Sequence, residues 1–520
     1  MQLSPSVKRI LGIVAIWLGL FGVFSIPAWQ TLQWPVFSSP DETANYSFAQ
    51  QDKATSQTKI PTVLPGASRS VLNNGTALVP GSFVFFPHLL GFIGKVLGTF
   101  GMLMFGPALA STAMLAWWSL LKRSFGSAVA WWSTVILASF PTFWFYAGRG
   151  MWQNGVFTSL LILGLWCGQQ TWRTRWWGSA MLTGLVWGTM LAIRPSEVSW
   201  VVPGLIVFAL LSWKHIPWRM TLIAGAVALV PMLALFVFQK QTYGELAAVG
   251  YRANGAFSPA PIVQELNTFQ QVKNVFFPFG TKPGVAWERL KVYAVGPLGY
   301  ILIPGAVGIF WLGLQKWRDP THRAVLGGSL VGGLLLVILY GNYKFVEFPA
   351  IREPVLDLSY LRYWLPLVPL AALGCGYALG KLQVKSQVTW RLSWVLGGAM
   401  LVVSTWLVLN DSTIGILHTW PRVAEAQAQS RWLVEQIPAG SVVLAGSRDK
   451  LVFPRRHAIG FDGTIPPGDE QYTNLPAGTR LFITLSNPDQ QYLVSQRFPG
   501  RKQSSPLVGP NGITLVELSQ

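Results

Sequence analysis

Charge is what this chain has least of. Only 11% of its 520 residues are Asp, Glu, Lys or Arg, against about 25% in ordinary soluble domains, and that shortage excludes a water-soluble globular protein. Cysteine is nearly absent: Cys167 and Cys375 match no CxxC or zinc spacing, so neither a disulfide framework nor a metal site is expected. The chain also lacks a Walker A loop, a GxGxxG opening a helix after a strand, HExxH and GxSxG. It has no Asp-x-Asp of the kind that holds a metal-bound nucleotide diphosphate. An activated sugar would have to arrive on a lipid.

What is abundant is apolar sequence: 51% of residues are hydrophobic and 13% aromatic. A helix crosses a bilayer core with about 20 apolar residues. Charge-free runs of about that length occur at Ile10–Trp29, Val96–Leu121, Ser124–Gly148, Gly150–Trp172, Trp176–Ile193 and Val198–Trp213. They continue at Met220–Gln239, Val292–Gln315, Ala324–Tyr343, Tyr363–Gly380 and Leu392–Asn410. These eleven runs predict an all-α polytopic membrane protein. The first is read as a retained anchor, because its apolar run is long and Ser25-Ile26-Pro27-Ala28 makes a poor cleavage site.

Orientation follows from the short connections. With a cytoplasmic N-terminus, that side receives Lys8-Arg9, Lys122-Arg123, Arg173, Arg175, Lys214, Arg219, Lys316, Arg318, Arg323, Lys381, Lys385 and Arg391. The formal net charge of +19 is thus a topology signal that also suits anionic lipid headgroups. The cations form no single stripe with interleaved aromatics, so nucleic acid is not an expected partner.

Three segments are not plain spans. The first external loop, 30–81, contains Pro40-Asp41-Glu42-Thr43, and the following Phe83–Gly94 is short enough to lie in the interface. A second long external loop, 240–291, carries Tyr243, Tyr251, Arg252 and Phe276-Phe277-Pro278-Phe279. The tail, 411–520, reads as a small extracytoplasmic α/β domain, with helices at Ala424–Glu435 and Gln490–Gln496 and strands at Ser441–Leu444, Arg480–Leu485 and Gly512–Glu517. The membrane domain is accordingly 1–410.

Ionisable groups near membrane depth are functional candidates. Asp41 and Glu42 sit just beyond the first span, on the same expected face as Arg149, Arg194 and Arg362. Arginine holds phosphate with a two-pronged grip. Sugar transfer from a polyprenyl phosphate needs one carboxylate to accept the acceptor's proton and cations to stabilise the departing phosphate. Glycoside hydrolysis needs two separated carboxylates, which adjacent Asp41 and Glu42 do not supply.

Trp34–Gln50, with Pro-Asp-Glu-Thr after the first span, and Arg362-Tyr363-x-x-Pro366 resemble the GT-C glycosyltransferases, in particular the lipid A aminoarabinose transferases and protein O-mannosyltransferases. The likeness covers about Ile10 to Gly380. It implies Asp41 as catalytic base, Glu42 as a neighbour that orients, and Arg362 with Tyr363 at the lipid-phosphate site, near Arg194, Arg149, Asn154 and His88. Two departures stand out. Asn154 occupies a position where relatives often carry a second acid, and the Lys-Pro that often follows the first loop is missing around Val79-Pro80-Gly81-Ser82. Lys53, Lys59 or Arg69 are candidates to supply the lost interaction.

The expected function is an inverting membrane glycosyltransferase. It takes a sugar from a polyprenyl-phosphate carrier to a glycan, lipid or protein acceptor outside the cytoplasm of a bacterial inner membrane. Its donor is lipid-linked, membrane lipids surround it, and no cofactor or divalent metal is indicated. The alternatives are a transporter or flippase of lipid-linked glycans, and an inactive GT-C assembly subunit; Asn154 favours the latter.

Overall fold

The computed structural model describes residues 4–246, 250, 279–343, 356, 359–460, 472, 475–485 and 491–519. Of the second external loop, Tyr251, Arg252 and Phe276-Phe277-Pro278 lie outside these. The chain divides into two compact units. The first comprises Met1–Pro27, Gly106–Leu233 and Ile262–His418, and the second Ala28–Phe105, Ala234–Pro261 and Thr419–Gln520.

The helices up to the second long loop are α1 (Pro5–Trp29), α2 (Pro40–Thr55), α3 (Phe85–Phe125), α4 (Ser127–Ser139), α5 (Pro141–Ala147), α6 (Gln153–Thr174), α7 (Trp177–Ile193), α8 (Val198–Ser212) and α9 (Trp218–Tyr243). After it come α10 (Pro283–Leu290), α11 (Gly296–Lys316), α12 (Pro320–Gly341), α13 (Ser359–Tyr363), α14 (Val368–Lys385) and α15 (Gln387–Asn410). Each charge-free run falls on helix. Among the described residues eight helices are long and apolar enough to cross a membrane, or nine if α4 and α5, bent by 65° at Phe140, make one span. Helix α6 is made more polar by Gln153, Asn154, Gln169 and Gln170, and α7 has only 17 residues.

Within the first unit α14 packs against α4, α11 and α15, while α8 packs against α12 and α6 against α7. Between apolar helices in lipid the attraction comes from close packing, which favours small residues at the contact. Helices α11 and α14 show it plainly. A Cβ added at Gly308 would lie 1.9 Å from the Gly374 carbonyl oxygen, and one at Gly374 would lie 1.9 Å from that of Gly305. Neither backbone can yield. Gly374→Leu is expected to lower stability by at least about 1–3 kcal/mol through overpacking, read as a fall in the thermal midpoint in nanodiscs. Val384→Leu, on the exposed side of the same helix, should leave the midpoint in place.

One segment differs from the sequence reading. The first loop contains a sixteen-residue helix, α2, because Ser39 caps it, Pro40 supplies a fixed first-turn φ and Asp41 and Glu42 complement its positive end. Phe83–Gly94 is helical from Phe85 as the first stretch of α3, a short helix set apart from the rest by a break at Gly98 (φ 69°), a backbone conformation open to glycine.

In the second unit a mixed sheet is built from β4 (Val442–Leu444), β5 (His457–Ile459), β6 (Leu481–Leu485), β7 (Lys502–Gln503), β8 (Leu507–Val508) and β9 (Thr514–Ser519). Its order is β5-β4-β6-β9-β7, with β8 also on β9; β4 runs parallel to β5 and β6, and β9 antiparallel to β6. Side chains alternate across such a sheet. Val442, Leu444, Leu481 and Ile483 face Val494 and Phe498 of α17 (Gln491–Arg497) and the segment just after it. Val443 and Phe482 face the other way, onto Leu433 and Ile437 at the end of and just beyond α16 (Ile416–Gln436).

That second face is completed by the first loop. Val36, Ala44, Phe48, Val71 and Leu78 belong to the same core as Val443 and Phe482. Ala44 and Phe48, four apart on α2, form one apolar stripe and are both essentially inaccessible. A small antiparallel sheet of β1 (Ile60–Pro61), β2 (Val71–Asn73) and β3 (Ala77–Pro80) carries the rest. The tail and the first loop therefore share one core.

Candidate functional site

Asp41 occupies the first turn of α2. Its amide donates to the Ser39 hydroxyl at 3.2 Å, and its Oδ1 accepts a hydrogen bond from the Ser70 hydroxyl at 2.5 Å. Ser70 adopts φ +60°, a left-handed conformation that costs a non-glycine residue about 1–3 kcal/mol and concentrates at functional sites. Its own carbonyl accepts from the Gly81 amide at 2.9 Å, tying it to the end of β3. Asp41 is half-buried, and Glu42 beside it is 1% exposed.

The turn leading into Asp41 is held by cations from the tail. Lys450 donates to the Ser38 carbonyl at 2.6 Å, and Arg455 donates to that of Pro35 at 3.2 Å while its guanidinium lies 4.0 Å over the Trp34 ring. Tyr46, one turn beyond Glu42, accepts from the Gln50 amide at 2.8 Å. Burial pushes its phenol above the usual range, against the opposing pull of Gln50 and the Arg455 charge.

His88 is packed against a carboxylate and an aromatic ring. Its Nδ1 lies 2.6 Å from Asp52 Oδ1, its ring stacks on Phe238 at 3.9 Å, and Thr58 approaches Nε2 at 3.4 Å. Lys95 pairs with the other Asp52 oxygen at 3.5 Å. The pair is buried, His88 7% and Asp52 3% exposed, and fastens the C-terminal part of α2 to α3.

The remaining candidates gather in the first unit. Tyr363, at the end of α13, is flanked by two guanidinium groups: Arg194 lies 4.9 Å and Arg362 5.1 Å from its ring, and Tyr340 stacks on it at 4.4 Å. Arg362 also lies 5.0 Å over Trp152. Such contacts favour arginine because its flat, weakly hydrated cation stacks on aromatic faces. Arg149, one turn before Trp152, covers Phe145 at 4.8 Å.

Arg194 carries a buried ion pair. Its Nε and Nη2 donate to Glu197 Oε1 at 2.8 and 2.5 Å, the Tyr340 hydroxyl donates to the same oxygen at 2.7 Å, and the Trp200 indole donates to Oε2. Arg194 and Glu197 are 4% and 1% exposed. The pair's charges cancel locally, so this arginine positions Tyr363 while Arg362 keeps a different set of neighbours.

Asn154, at the start of α6, donates from Nδ2 to the Arg362 carbonyl oxygen at 3.0 Å. An ionised acid there could only accept and would meet that carbonyl with like polarity, so the amide suits the position. Asn154, Phe157, Arg194, Glu197, Arg362, Tyr363 and Pro366 line a narrow, closely packed cleft.

Of the sequence candidates, the structure thus brings Arg194, Asn154, Arg362 and Tyr363 together, with Arg149 close to Trp152, in the first unit. Asp41, Glu42 and His88 lie in the second. Of the three cations proposed to fill in for the missing Lys-Pro, Arg69 pairs with Asp449 at 2.8 Å and Lys53 reaches Thr99 at 3.4 Å. Ser70, Asp52, Tyr340 and Asp449 were missed. Only Asp52 carried a signal, being an acid in a segment with few charges. Among the described residues no three His, Cys, Asp or Glu side chains converge as a metal site would require.

The model of the dolichyl-phosphate-mannose-protein mannosyltransferase family matches residues 85–238. No curated protein sequence matches the chain. Among solved structures, ArnT from Cupriavidus metallidurans bound to undecaprenyl phosphate superposes with a TM-score of 0.59 at 13% identity, covering 99% of this chain and 98% of that one. The apo state of the same protein gives 0.57 at 12% identity over the same shares. The oligosaccharyltransferase AglB from Archaeoglobus fulgidus, in complex with an inhibitory peptide and a dolichol-phosphate, gives 0.54 at 10% identity, covering 94% and 71%. The chain shares its fold with ArnT along nearly its whole length, as an all-α membrane part followed by a small sheet-containing tail.

Proposed function

We propose that this protein is a membrane glycosyltransferase that moves a sugar from a polyprenyl-phosphate carrier to an acceptor on the extracytoplasmic face, with Asp41 as general base. The carrying observation is the full-length likeness in fold to a protein whose structure holds undecaprenyl phosphate. The mannosyltransferase family match over 85–238 and the dolichol-phosphate in the AglB complex point the same way. With the N-terminus cytoplasmic, as the basic short loops favour, the first loop and the tail face outward.

The chemistry is a single displacement. Asp41 accepts the proton of an acceptor hydroxyl or amine; the freed lone pair attacks the anomeric carbon as the bond from that carbon to the phosphate oxygen breaks. The bonding electrons leave with the polyprenyl phosphate, and the anomeric configuration inverts. No general acid is required, because the leaving group is already a stable anion. Ser70 fixes the Asp41 carboxylate and Glu42 orients the loop. In the first unit Arg362 binds the lipid phosphate, with Tyr363 braced by Arg194, Asn154 holding the Arg362 main chain and Arg149 nearby. His88 supports α2 through Asp52.

Loss of a charge-assisted contact to phosphate is worth about 1.5–3 kcal/mol. Arg362→Ala is therefore expected to weaken binding of undecaprenyl phosphate by about 10- to 100-fold, measured by native mass spectrometry of protein in nanodiscs. Unchanged affinity would remove Arg362 from the donor site. Transport of lipid-linked glycans is the rival, and the ionisable candidates here lie on helix ends and loops rather than at mid-span, which disfavours it.

A further inference from the structure

Asp449 follows the loop that leaves β4, at the edge where β4 and its parallel neighbour β5 both end. The sheet's crossing connections diverge at such an edge, so it is open to side chains from elsewhere. Here the first loop fills it. The Asp449 carboxylate is 0% exposed and accepts hydrogen bonds from the Ser68 hydroxyl at 2.8 Å, the Arg69 amide at 2.6 Å and Arg69 Nη2 at 2.8 Å. Arg69 Nη2 also donates to the Ser447 carbonyl at 2.7 Å.

The end of β5 adds to the grip. Gly460 donates its amide to the Ala67 carbonyl at 2.9 Å, and a Cβ on it would lie 2.5 Å from Asp449 Oδ2 and 2.8 Å from the Arg69 amide nitrogen. His457 Nε2 lies 2.9 Å from the Pro65 carbonyl oxygen. Residues 65–69 are thus pinned at four successive points, and the next residue is Ser70. Its left-handed backbone and its bond to Asp41 depend on where that pinned strap ends.

We propose that Asp449 is a positioning residue for the sugar-transfer reaction: through Ser68 and Arg69 it sets the strap that presents the Ser70 hydroxyl to Asp41. This rests on Asp41 being the base. The tail is then part of the catalytic apparatus as well as a folded appendage, and Asp449 acts on turnover through a hydrogen-bonded route separate from the Lys450 and Arg455 contacts to the turn before Asp41. A buried carboxylate with several charge-assisted bonds at 2.6–2.8 Å holds position far more firmly than a mobile surface contact. Misplacing a reacting group by about 1 Å costs about 10²-fold in rate.

The test is a double-mutant cycle of Asp449→Asn and Ser70→Ala in the full chain in nanodiscs. Turnover is followed as release of undecaprenyl phosphate from a panel of undecaprenyl-phosphate hexoses and pentoses, including mannose and aminoarabinose, with envelope lipid and glycan extract as acceptor. Each single variant is expected to lower kcat about 10- to 100-fold with KM for the donor within about twofold. The double variant should fall no more than about threefold below the worse single, because both changes cut the same route. Hydrogen exchange at the Arg69 and Gly81 amides should speed up in Asp449→Asn. Glu517→Gln, which opens the exposed Arg480–Glu517 pair on β6 and β9, should change none of these.

Ser70→Ala removes only a hydroxyl and leaves folding intact, so the route remains testable if Asp449→Asn is poorly recovered. Effects that multiply, unchanged kcat in folded Asp449→Asn, or unchanged kcat in Ser70→Ala would overturn the proposal. Asp41→Asn separates the two levels. If it is inactive while Asp449→Asn and Ser70→Ala turn over normally, the base stands and the positioning route falls; if it turns over normally, both fall.

Discussion

Asp41→Asn is expected to lower sugar transfer by about 10²- to 10⁴-fold, the range that general base catalysis contributes, while binding of undecaprenyl phosphate stays within about twofold. Asparagine keeps the size of the side chain and can still receive the Ser70 hydrogen bond through its carbonyl oxygen, so the first turn of α2 should stand. What it lacks is the basic oxygen that takes the acceptor's proton. The loss should therefore appear in kcat, as it does when an interaction made only in the transition state is removed. Glu42→Gln serves as the comparison. Its side chain is buried at the loop, and a role in orientation predicts a smaller fall than at Asp41. Equal turnover in Asp41→Asn and the unaltered protein would reassign the base.

The largest expected effect on stability lies in the first unit. Glu197→Ala leaves the Arg194 guanidinium buried without its counter-charge and strips the Tyr340 hydroxyl and the Trp200 indole of their acceptor. Breaking a buried ion pair from one side costs about 3–5 kcal/mol. The effect should be visible as a steep drop in the thermal midpoint in nanodiscs. Removing both charges is less harmful than removing one, because no uncompensated ion remains. The double variant Arg194→Met, Glu197→Leu is thus expected to be more stable than Glu197→Ala alone. It should nevertheless lose donor affinity, since Tyr363 loses the guanidinium that braces one side of its ring. A Glu197→Ala protein as stable as the original would mean that the pair contributes little to holding α7, α8 and α12 together.

The membrane part was legible because its signal is additive: a score of apolar residues in a row needs no partner to be recognised. The α/β tail was legible for a related reason. Val442–Leu444, Leu481–Leu485 and Thr514–Ser519 are short β-branched or apolar runs between turns, and each lies within two residues of its expected place. Strand β5, only three residues at His457–Ile459, was not foreseen. Its existence depends on pairing with β4, a tertiary fact.

Helix α2 was readable in principle. Ser39-Pro40-Asp41-Glu42 is a helix-start signature, but the polar sequence that follows suggests a loop unless Ala44 and Phe48 are seen as one buried stripe. The ion pair of Arg194 and Glu197 sits at i and i+3 and was likewise within reach. Arg69 and Asp449 stand 380 positions apart, and no local pattern connects them. The same holds for Ser70 and Asp41, whose bond depends on a backbone conformation that serine rarely adopts. What sequence could not reach was therefore the set of groups that place the acid, since each acts through a contact made by folding.

The proposed reaction is a single sugar transfer with Asp41 of the first loop as base. The most direct measurement of it is proton and carbon NMR of the sugar handed over by the purified protein, given an undecaprenyl-phosphate sugar of known anomeric configuration and an acceptor extract. Transfer with inverted configuration, and one undecaprenyl phosphate released per sugar moved, is the expected result. Retention of configuration, or passage of the intact lipid-linked sugar across the bilayer without transfer, would contradict it.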